Sequence, residues 1–140
     1  MSEADDPLYR KALLRLAADA VGAGHLPAPD AAATAANPAC GDRVTVEIAL
    51  RGDCVGALAH DTQACILTQA SAAILGAVVP GLDRAALAAL EKGVQAMLKD
   101  GAPPPLAPYA AFAAALPGRH VCVLLPFQAL REALELAVIR

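Results

Sequence analysis

The sequence contains no tryptophan, and aromatic residues make up only 3% of its 140 positions. Hydrophobic residues account for 57% of the chain, so the interior has to be built mainly from aliphatic side chains. Basic residues are also sparse, since 11 Lys and Arg against 14 Asp and Glu give a net charge of -3. Proteins that bind a phosphate backbone need a basic patch or stripe. Nucleic acid is therefore not an expected partner.

Long apolar runs are absent as well. A helix that crosses a bilayer needs about 20 consecutive apolar residues, and every apolar stretch here is interrupted, for example at Asp83, Pro117 and Pro126. The opening residues, MSEADDPLYR, lack the basic start and apolar core of a secretory signal. These features predict a cytoplasmic protein with no membrane partner. The four cysteines would then lie in a reducing compartment, where thiol or metal chemistry is expected instead of disulfides.

The first 60 positions predict one helix followed by strands. Apolar residues recur with helical spacing over 6–22, which predicts an amphipathic helix ending near Gly22 or Gly24. Alternating apolar and polar residues over 44–50 predict a strand with one buried face. Turn residues then join it to a weaker strand over 54–60, as in an antiparallel hairpin. Residues 30–37 are a candidate edge strand, although their alanines are poor strand formers.

From Cys65 onward the spacing of the apolar residues becomes helical. The predicted helices cover 66–79, 83–99, 109–116 and 126–138, with a proline-rich loop over 101–108. Pro126 is assigned to the opening turn of the last helix, a position that suits proline. Strands followed by helices indicate an α+β fold, in which helices cover a small antiparallel sheet, within a single domain over 1–140.

Three cysteines and one aspartate stand where they could bind a metal. Cys40 and Asp42 flank Gly41 just before the best strand, and side chains two apart in extended chain point to the same side. Cys65 is predicted at a helix N-terminus, where a thiolate is favoured. Cys122 is predicted just ahead of the last helix. Three thiolates and a carboxylate would suit zinc, or iron in a cluster.

The same cysteines could instead be buried core residues. Free cysteine is among the most commonly buried residues, so from spacing alone ligation and burial carry about equal weight. Cys54 has no partner at ligand spacing and is interpreted as a core or spare thiol. His120, two residues before Cys122, is a weak candidate for a ligand or general base, because such a histidine is at least as often a polar residue at a loop edge.

Three segments resemble the U-type iron-sulfur cluster scaffolds, known as IscU, SufU and the N-terminal domain of NifU. The segment Asn37-Pro-Ala-Cys-Gly-Asp42 resembles their NPxCGD motif, and Cys65 with Ala70-Ser71-Ala72 resembles the second cysteine motif. Pro117-Gly-Arg-His-Val-Cys122 resembles the third. Leu8-Tyr9-Arg10 also matches the opening of the family's first helix. Together these segments span nearly the whole chain in family order. The resemblance implies a three-stranded antiparallel sheet packed against about five helices.

The resemblance also implies a function and its residues. Cys40, Asp42, Cys65 and Cys122 would bind Zn²⁺ or a nascent [2Fe-2S] cluster, with sulfur delivered by a cysteine desulfurase and the cluster passed to apo iron-sulfur proteins. Cys122 is the candidate sulfur acceptor, and Arg119 would offset the negative charge of the ligands. Such a chain is a scaffold and not a classical enzyme. The alternative is a zinc-dependent sulfur-transfer protein that partners the desulfurase.

The departures from IscU favour the SufU-like members. Val121 stands where IscU has a histidine, and Arg119 matches an arginine of SufU-like proteins. The stretch from Cys65 to Cys122 is also longer than in IscU. The chaperone-binding LPPVK segment of IscU appears only as LPGRH over 116–120, which puts binding of a dedicated Hsp70 chaperone in doubt.

Overall fold

The computed structural model describes residues 7–39, 41–113, 115 and 117–139. Its elements run in the order α1 (Pro7–Asp19), β1 (Ala31–Asn37), β2 (Asp42–Arg51), β3 (Cys54–Gln63), α2 (Ile66–Val78), α3 (Arg84–Asp100) and α4 (His120–Ile139). Two short 3₁₀ helices, Ala107–Phe112 and Pro117–Arg119, lie between α3 and α4. None of the helices in these ranges is long and apolar enough to cross a membrane.

The three strands form one antiparallel sheet in the order β1-β2-β3. This confirms the α+β class and the three-stranded sheet. β2 is the central strand, and its alternate residues Val44, Val46 and Ile48 are fully buried. β1 consists largely of alanine, yet every one of its seven residues pairs with β2. Pairing with a strong neighbour therefore decides the edge strand more than its own propensity does.

Helices cover the sheet on one face and pack on one another. α4 lies against β1 and β2, and α2 lies between α1 and α4. Three of the four aromatic residues meet in the core, where the ring centroid of Tyr109 lies 6.2 Å from Phe112 and 6.1 Å from Phe127. Aliphatic side chains from the sheet and helices supply the rest of the buried core.

The first helix is shorter than predicted. α1 ends at Asp19, because Ala20 adopts a left-handed backbone conformation with φ of 45°. The chain then passes so close to α2 that a Cβ on Gly76 would collide with the Val21 carbonyl oxygen and lie 3.0 Å from the Gly22 Cα. A continued helix could not make this approach. The sequence pattern over 6–22 carried no sign of it, since the contact joins distant segments.

The last helix was predicted to begin at Pro126, and this is wrong. α4 begins at His120 and holds Pro126 in its interior. Proline has no N–H, so the Cys122 carbonyl loses the helical hydrogen bond that residue 126 would normally donate. The Thr68 hydroxyl of α2 donates to that carbonyl instead, at 2.9 Å. The helix can therefore continue through the proline.

The remaining boundaries are close to prediction. α3 starts after Asp83, whose Oδ1 accepts from the Ala86 N–H at 2.8 Å as a predicted N-cap should, and Gly101 closes it in a left-handed conformation. The short helix predicted over 109–116 is a 3₁₀ helix at Ala107–Phe112. β3 continues past the predicted end at His60 to Gln63, because Gln63 still pairs with Arg43 of β2.

His60 in β3 hydrogen-bonds to the segment that follows α1 and so links it to the sheet. Its buried ring donates from Nε2 to the Val21 carbonyl at 3.0 Å, and Nδ1 shares a hydrogen bond of 2.9 Å with the Thr62 hydroxyl. Burial lowers the pKa of His60, although the hydrogen bond to Val21 and the charge of Asp61 act in the opposite direction.

We expect two histidines to give opposite pH dependences of stability. As the pH falls through 6.5, the unfolded chain binds a proton that buried His60 resists, so its contribution destabilises the fold in acid. His25 hydrogen-bonds to Glu47 at 2.7 Å, and that bond raises its pKa, so its contribution is full below 6.5 and is lost as the pH rises through the folded-state pKa.

Urea unfolding between about pH 8 and pH 5.5 measures both effects. Relative to wild type, His60→Gln should lose less stability on acidification, and His25→Gln should lose more. Identical pH profiles for the two variants would contradict this assignment of the two rings.

We also expect Gly76→Ala to destabilise the fold by about 1–3 kcal/mol or more, because the new methyl group collides with the backbone at Val21. Gly118→Ala is the matched control, since a Cβ there meets no atom within 4 Å. Thermal or urea denaturation compares the two. Equal stability of both variants would show that the approach of the two segments is not tight.

Candidate metal centre

Asp42 begins β2 and is buried, with 5% of its surface exposed. Its Oδ1 accepts a hydrogen bond from the backbone N–H of Cys65 at 3.1 Å. Cys65 is the N-cap residue of α2 and makes no capping bond with its own side chain. The Asp42 carboxylate therefore caps the N-terminus of α2 in place of the Cys65 side chain. Unpaired N–H groups and the helix dipole favour negative charge at this end of a helix.

Cys122 completes a group of three donors. It lies in the first turn of α4 and is buried, whereas Cys65 is half-buried. One carboxylate oxygen of Asp42 and the two sulfurs all lie within 4.8 Å of one another. Two thiolates that share a tetrahedral zinc ion lie about 3.8 Å apart. A strand and two helix N-terminal turns thus bring three ligand atoms to nearly the spacing that one cation needs.

Arg119 supplies positive charge beside the sulfurs. It ends the short 3₁₀ helix before α4, and its guanidinium hydrogen-bonds to Cys122 and to Cys65. These bonds raise the pKa of Arg119 well above its usual value. The guanidinium therefore stays charged at all relevant pH values and faces both thiols.

The two thiols differ in acidity. Burial raises the pKa of Cys65, but hydrogen bonds from Thr68, Arg119 and Cys122 outweigh it and leave that pKa below its ordinary value. Burial raises the pKa of Cys122, and the nearby charge of Cys65 adds to this, so Arg119 does not restore its usual pKa. Of the two, Cys65 carries the more acidic thiol.

Comparison with known proteins identifies the family. The family model of the NifU-like N-terminal domain matches residues 8–115. This chain belongs to that family. The match confirms the resemblance to the U-type scaffolds that the motifs around Asp42 and Cys65 indicated. The matched range ends before Cys122. The tertiary structure is therefore what places this cysteine beside Asp42 and Cys65.

Solved structures extend the comparison over nearly the whole domain. The crystal structure of a NifU-like protein (N-terminal) from Brucella abortus has a TM-score of 0.83 and 31% identity, covering 94% of this chain and 95% of that one. Two further structures show the fold alone. One is a putative iron-sulfur cluster assembly scaffold protein for the SUF system from Fervidobacterium islandicum, with 22% identity, a TM-score of 0.79 and coverage of 89% and 94%. The other is a hypothetical protein with 24% identity, a TM-score of 0.80 and coverage of 91% and 97%. No curated protein matches the sequence significantly.

The structure of this NifU-like domain brings together three of the four predicted ligands. Cys40, the fourth, lies outside the described residues. The chain beside it forms a tight turn, in which the Asn37 carbonyl accepts from the Gly41 N–H at 2.9 Å and the Asn37 side chain accepts from the Ala39 N–H at 3.1 Å. Gly41 has φ of 76°, which glycine adopts without strain.

Two other candidates stand apart from the group. Cys54 pairs with Arg51 at the hairpin end of the sheet, whereas Asp42 begins β2 at the opposite end. Nine residues of strand separate these ends by about 30 Å. His120 donates from Nε2 to the Ala115 carbonyl at 3.2 Å, so this ring contacts the backbone. Neither residue belongs to the metal-binding group that the described part of the chain forms.

Sequence reasoning missed Thr68. This residue is fully buried in the first turn of α2, and its Oγ1 lies 3.5 Å from the Cys65 sulfur and 3.3 Å from Asp42 Oδ2. A signal was available, because residues three apart on a helix are neighbours. A hydroxyl three positions after a candidate ligand at a helix start is therefore well placed to touch it.

Proposed function

We propose that this NifU-like domain is an iron-sulfur cluster assembly scaffold. It would accept sulfur from a cysteine desulfurase, bind iron or a [2Fe-2S] cluster as cargo on Cys40, Asp42, Cys65 and Cys122, and pass the cluster to apo iron-sulfur proteins. The observation that carries the proposal is the meeting of three of these side chains within 4.8 Å. Family membership and the named role of the Fervidobacterium relative support it. We expect the protein to work in the cytoplasm.

The ligand set suits cargo that must leave again. Thiolates bind cluster iron strongly, whereas a carboxylate is a harder and weaker partner for it. Asp42 is also engaged in the protein, through Oδ1 to Cys65 and Oδ2 to Thr68. Its carboxylate therefore has hydrogen-bond donors to return to when it releases iron. We therefore expect Asp42 to be the first ligand to release the iron.

Sulfur delivery needs one cysteine as acceptor, and Cys122 is our candidate. The Cys122 sulfur would attack the outer sulfur of a persulfide on the desulfurase, and the S–S bond would break. Because the pKa of Cys122 is raised, its proton would pass to the departing desulfurase sulfur, which leaves as a thiol. Arg119 contacts the Cys122 sulfur and can stabilise its negative charge during the attack.

A second candidate function is zinc-dependent sulfur transfer to the same acceptor thiol. The contact of Arg119 with both sulfurs favours it. Zinc held by three thiolates and a carboxylate would carry excess negative charge, and a fixed guanidinium beside two of those thiolates offsets part of it. Zinc would then hold the site together while one cysteine exchanges off the metal.

Anaerobic purification followed by metal analysis and cluster reconstitution separates the two functions. Visible cluster absorbance that can be transferred to an apo-ferredoxin supports the scaffold. Stoichiometric zinc, with no absorbance after reconstitution, supports sulfur transfer. Protein that holds neither zinc nor a cluster would refute both.

We expect alanine at any of the three site cysteines to lower metal affinity by more than the roughly 10- to 100-fold typical of residues that only support a ligand. The variants are Cys40→Ala, Cys65→Ala and Cys122→Ala, measured by zinc competition with a chelator. Cys54→Ala is the matched control, because Cys54 lies at the far end of the sheet. If Cys54→Ala lost metal as the others do, the site would be assigned to the wrong thiols.

We expect Asp42→Ala to lengthen the lifetime of a reconstituted cluster, because it removes the weakest ligand. Asp42→Asn is a useful companion, since its amide oxygen can still accept from the Cys65 N–H while its charge is gone. Decay of visible absorbance measures the lifetime, with Asp53→Ala in the exposed β2–β3 turn as control. Faster cluster loss from both Asp42 variants would contradict a labilising role.

A further inference from the structure

Thr68 is the residue that touches all three described members of the metal-binding group. Its Oγ1 lies 2.9 Å from the Cys122 carbonyl oxygen, 3.3 Å from Asp42 Oδ2 and 3.5 Å from the Cys65 sulfur. The residue has no exposed surface. It therefore cannot serve as a ligand that reaches from outside, but it can control how the three ligands stand relative to one another.

A hydroxyl has one proton to donate and two lone pairs that accept. The Cys122 carbonyl is the nearer acceptor, and it needs this donor because Pro126 cannot supply one. The contact with Asp42 is longer and would use the same proton. It is therefore the contact that can be given up when the carboxylate turns to a cation, while the bond to Cys122 is kept.

A neighbouring residue shows what a purely structural role would look like. Ser71, one turn further along α2, is also buried and donates to the Val123 carbonyl of α4 at 2.6 Å. Both hydroxyls thus join α2 to the same turn of α4. The Ser71 bond goes to the backbone of Val123, whereas the Thr68 hydroxyl contacts each residue of the metal-binding group.

We propose that Thr68 is a positioning residue of the metal centre: its hydroxyl keeps Cys122 beside Cys65 and contacts the Asp42 carboxylate, which turns from this contact to the cation. The inference rests on the proposed function, since it presupposes that these residues bind a metal. Residues that orient metal ligands in this way typically change metal affinity by about 10- to 100-fold when they are replaced.

Cobalt(II) is the probe, because its visible absorption reports the geometry of a thiolate site and its affinity can be measured by competition with a chelator. The full chain is compared with Thr68→Val, which keeps the shape but lacks the hydroxyl, and Thr68→Ser, which restores it. Ser71→Ala is the matched control, since it breaks the other bond between α2 and α4. Urea unfolding of each metal-free variant records the structural cost separately.

We expect Thr68→Val to bind cobalt about 10- to 100-fold more weakly, with an altered spectrum. Thr68→Ser and Ser71→Ala should keep the wild-type spectrum and affinity, even where Ser71→Ala loses comparable stability. Wild-type affinity and spectrum in Thr68→Val would overturn the inference alone. No cobalt binding by the wild-type chain would overturn the proposed function, and the inference with it.

A double variant guards against a Thr68→Val chain that fails to fold. Thr68→Val combined with Pro126→Ala returns an N–H that can pair with the Cys122 carbonyl inside α4, so the structural demand on the hydroxyl is removed. Weak cobalt binding that persists in this variant supports a role at the metal centre. Full recovery of binding would show that Thr68 acts only through the helix, and the inference would fail.

Discussion

The Cys122 carbonyl is the group on which much of this domain depends. Pro126 deprives it of the N–H that would normally pair with it in α4, and it is buried where water cannot replace that donor. Leaving such a carbonyl without a partner costs about 1–3 kcal/mol. The Thr68 hydroxyl supplies the missing bond from α2. Because Cys65 caps α2, the same bond sets the start of one helix against the first turn of another, and so the distance between two sulfurs.

α2 is restrained by contacts on both sides, and these contacts fix the position of Cys65 at its N-terminus. On one side, the hydroxyls of Thr68 and Ser71 bind carbonyls of α4. On the other side, Gly76 lets the chain after α1 approach within contact distance of the helix backbone. Asp42 then fixes the N-terminus of α2 to the end of the central strand. A helix restrained at three places has little freedom to shift Cys65 relative to its partners.

The electrostatics of the site favour negative ligands before any metal is considered. The N-terminus of α2 attracts the Asp42 carboxylate, and Arg119 contacts both sulfurs. Burial opposes this by disfavouring charge on either thiol. The balance lowers the pKa of Cys65 and leaves the pKa of Cys122 raised. The two sulfurs of the group therefore differ in acidity before a metal binds.

Several features could be predicted from local pattern because their causes are local. The alternation in β2 reports which face of that strand is buried, Asp83 caps α3 within its own turn, and the NPxCGD segment identifies the family. The α+β class and the three-stranded sheet followed from these patterns and from the resemblance. The single domain over 1–140 and the binding role of Cys40, Asp42, Cys65 and Cys122 stay predictions.

The tertiary structure alone decided where α1 ends, where α4 begins and which hydroxyl belongs to the site. A proline preceded by six helical residues cannot be recognised from its own segment, since the hydroxyl that pairs with the Cys122 carbonyl in its place lies 54 positions before Cys122. The early end of α1 likewise depends on a glycine in α2. Sequence therefore determined the elements and the ligand types, whereas contacts between distant elements determined their limits and brought the donor atoms together.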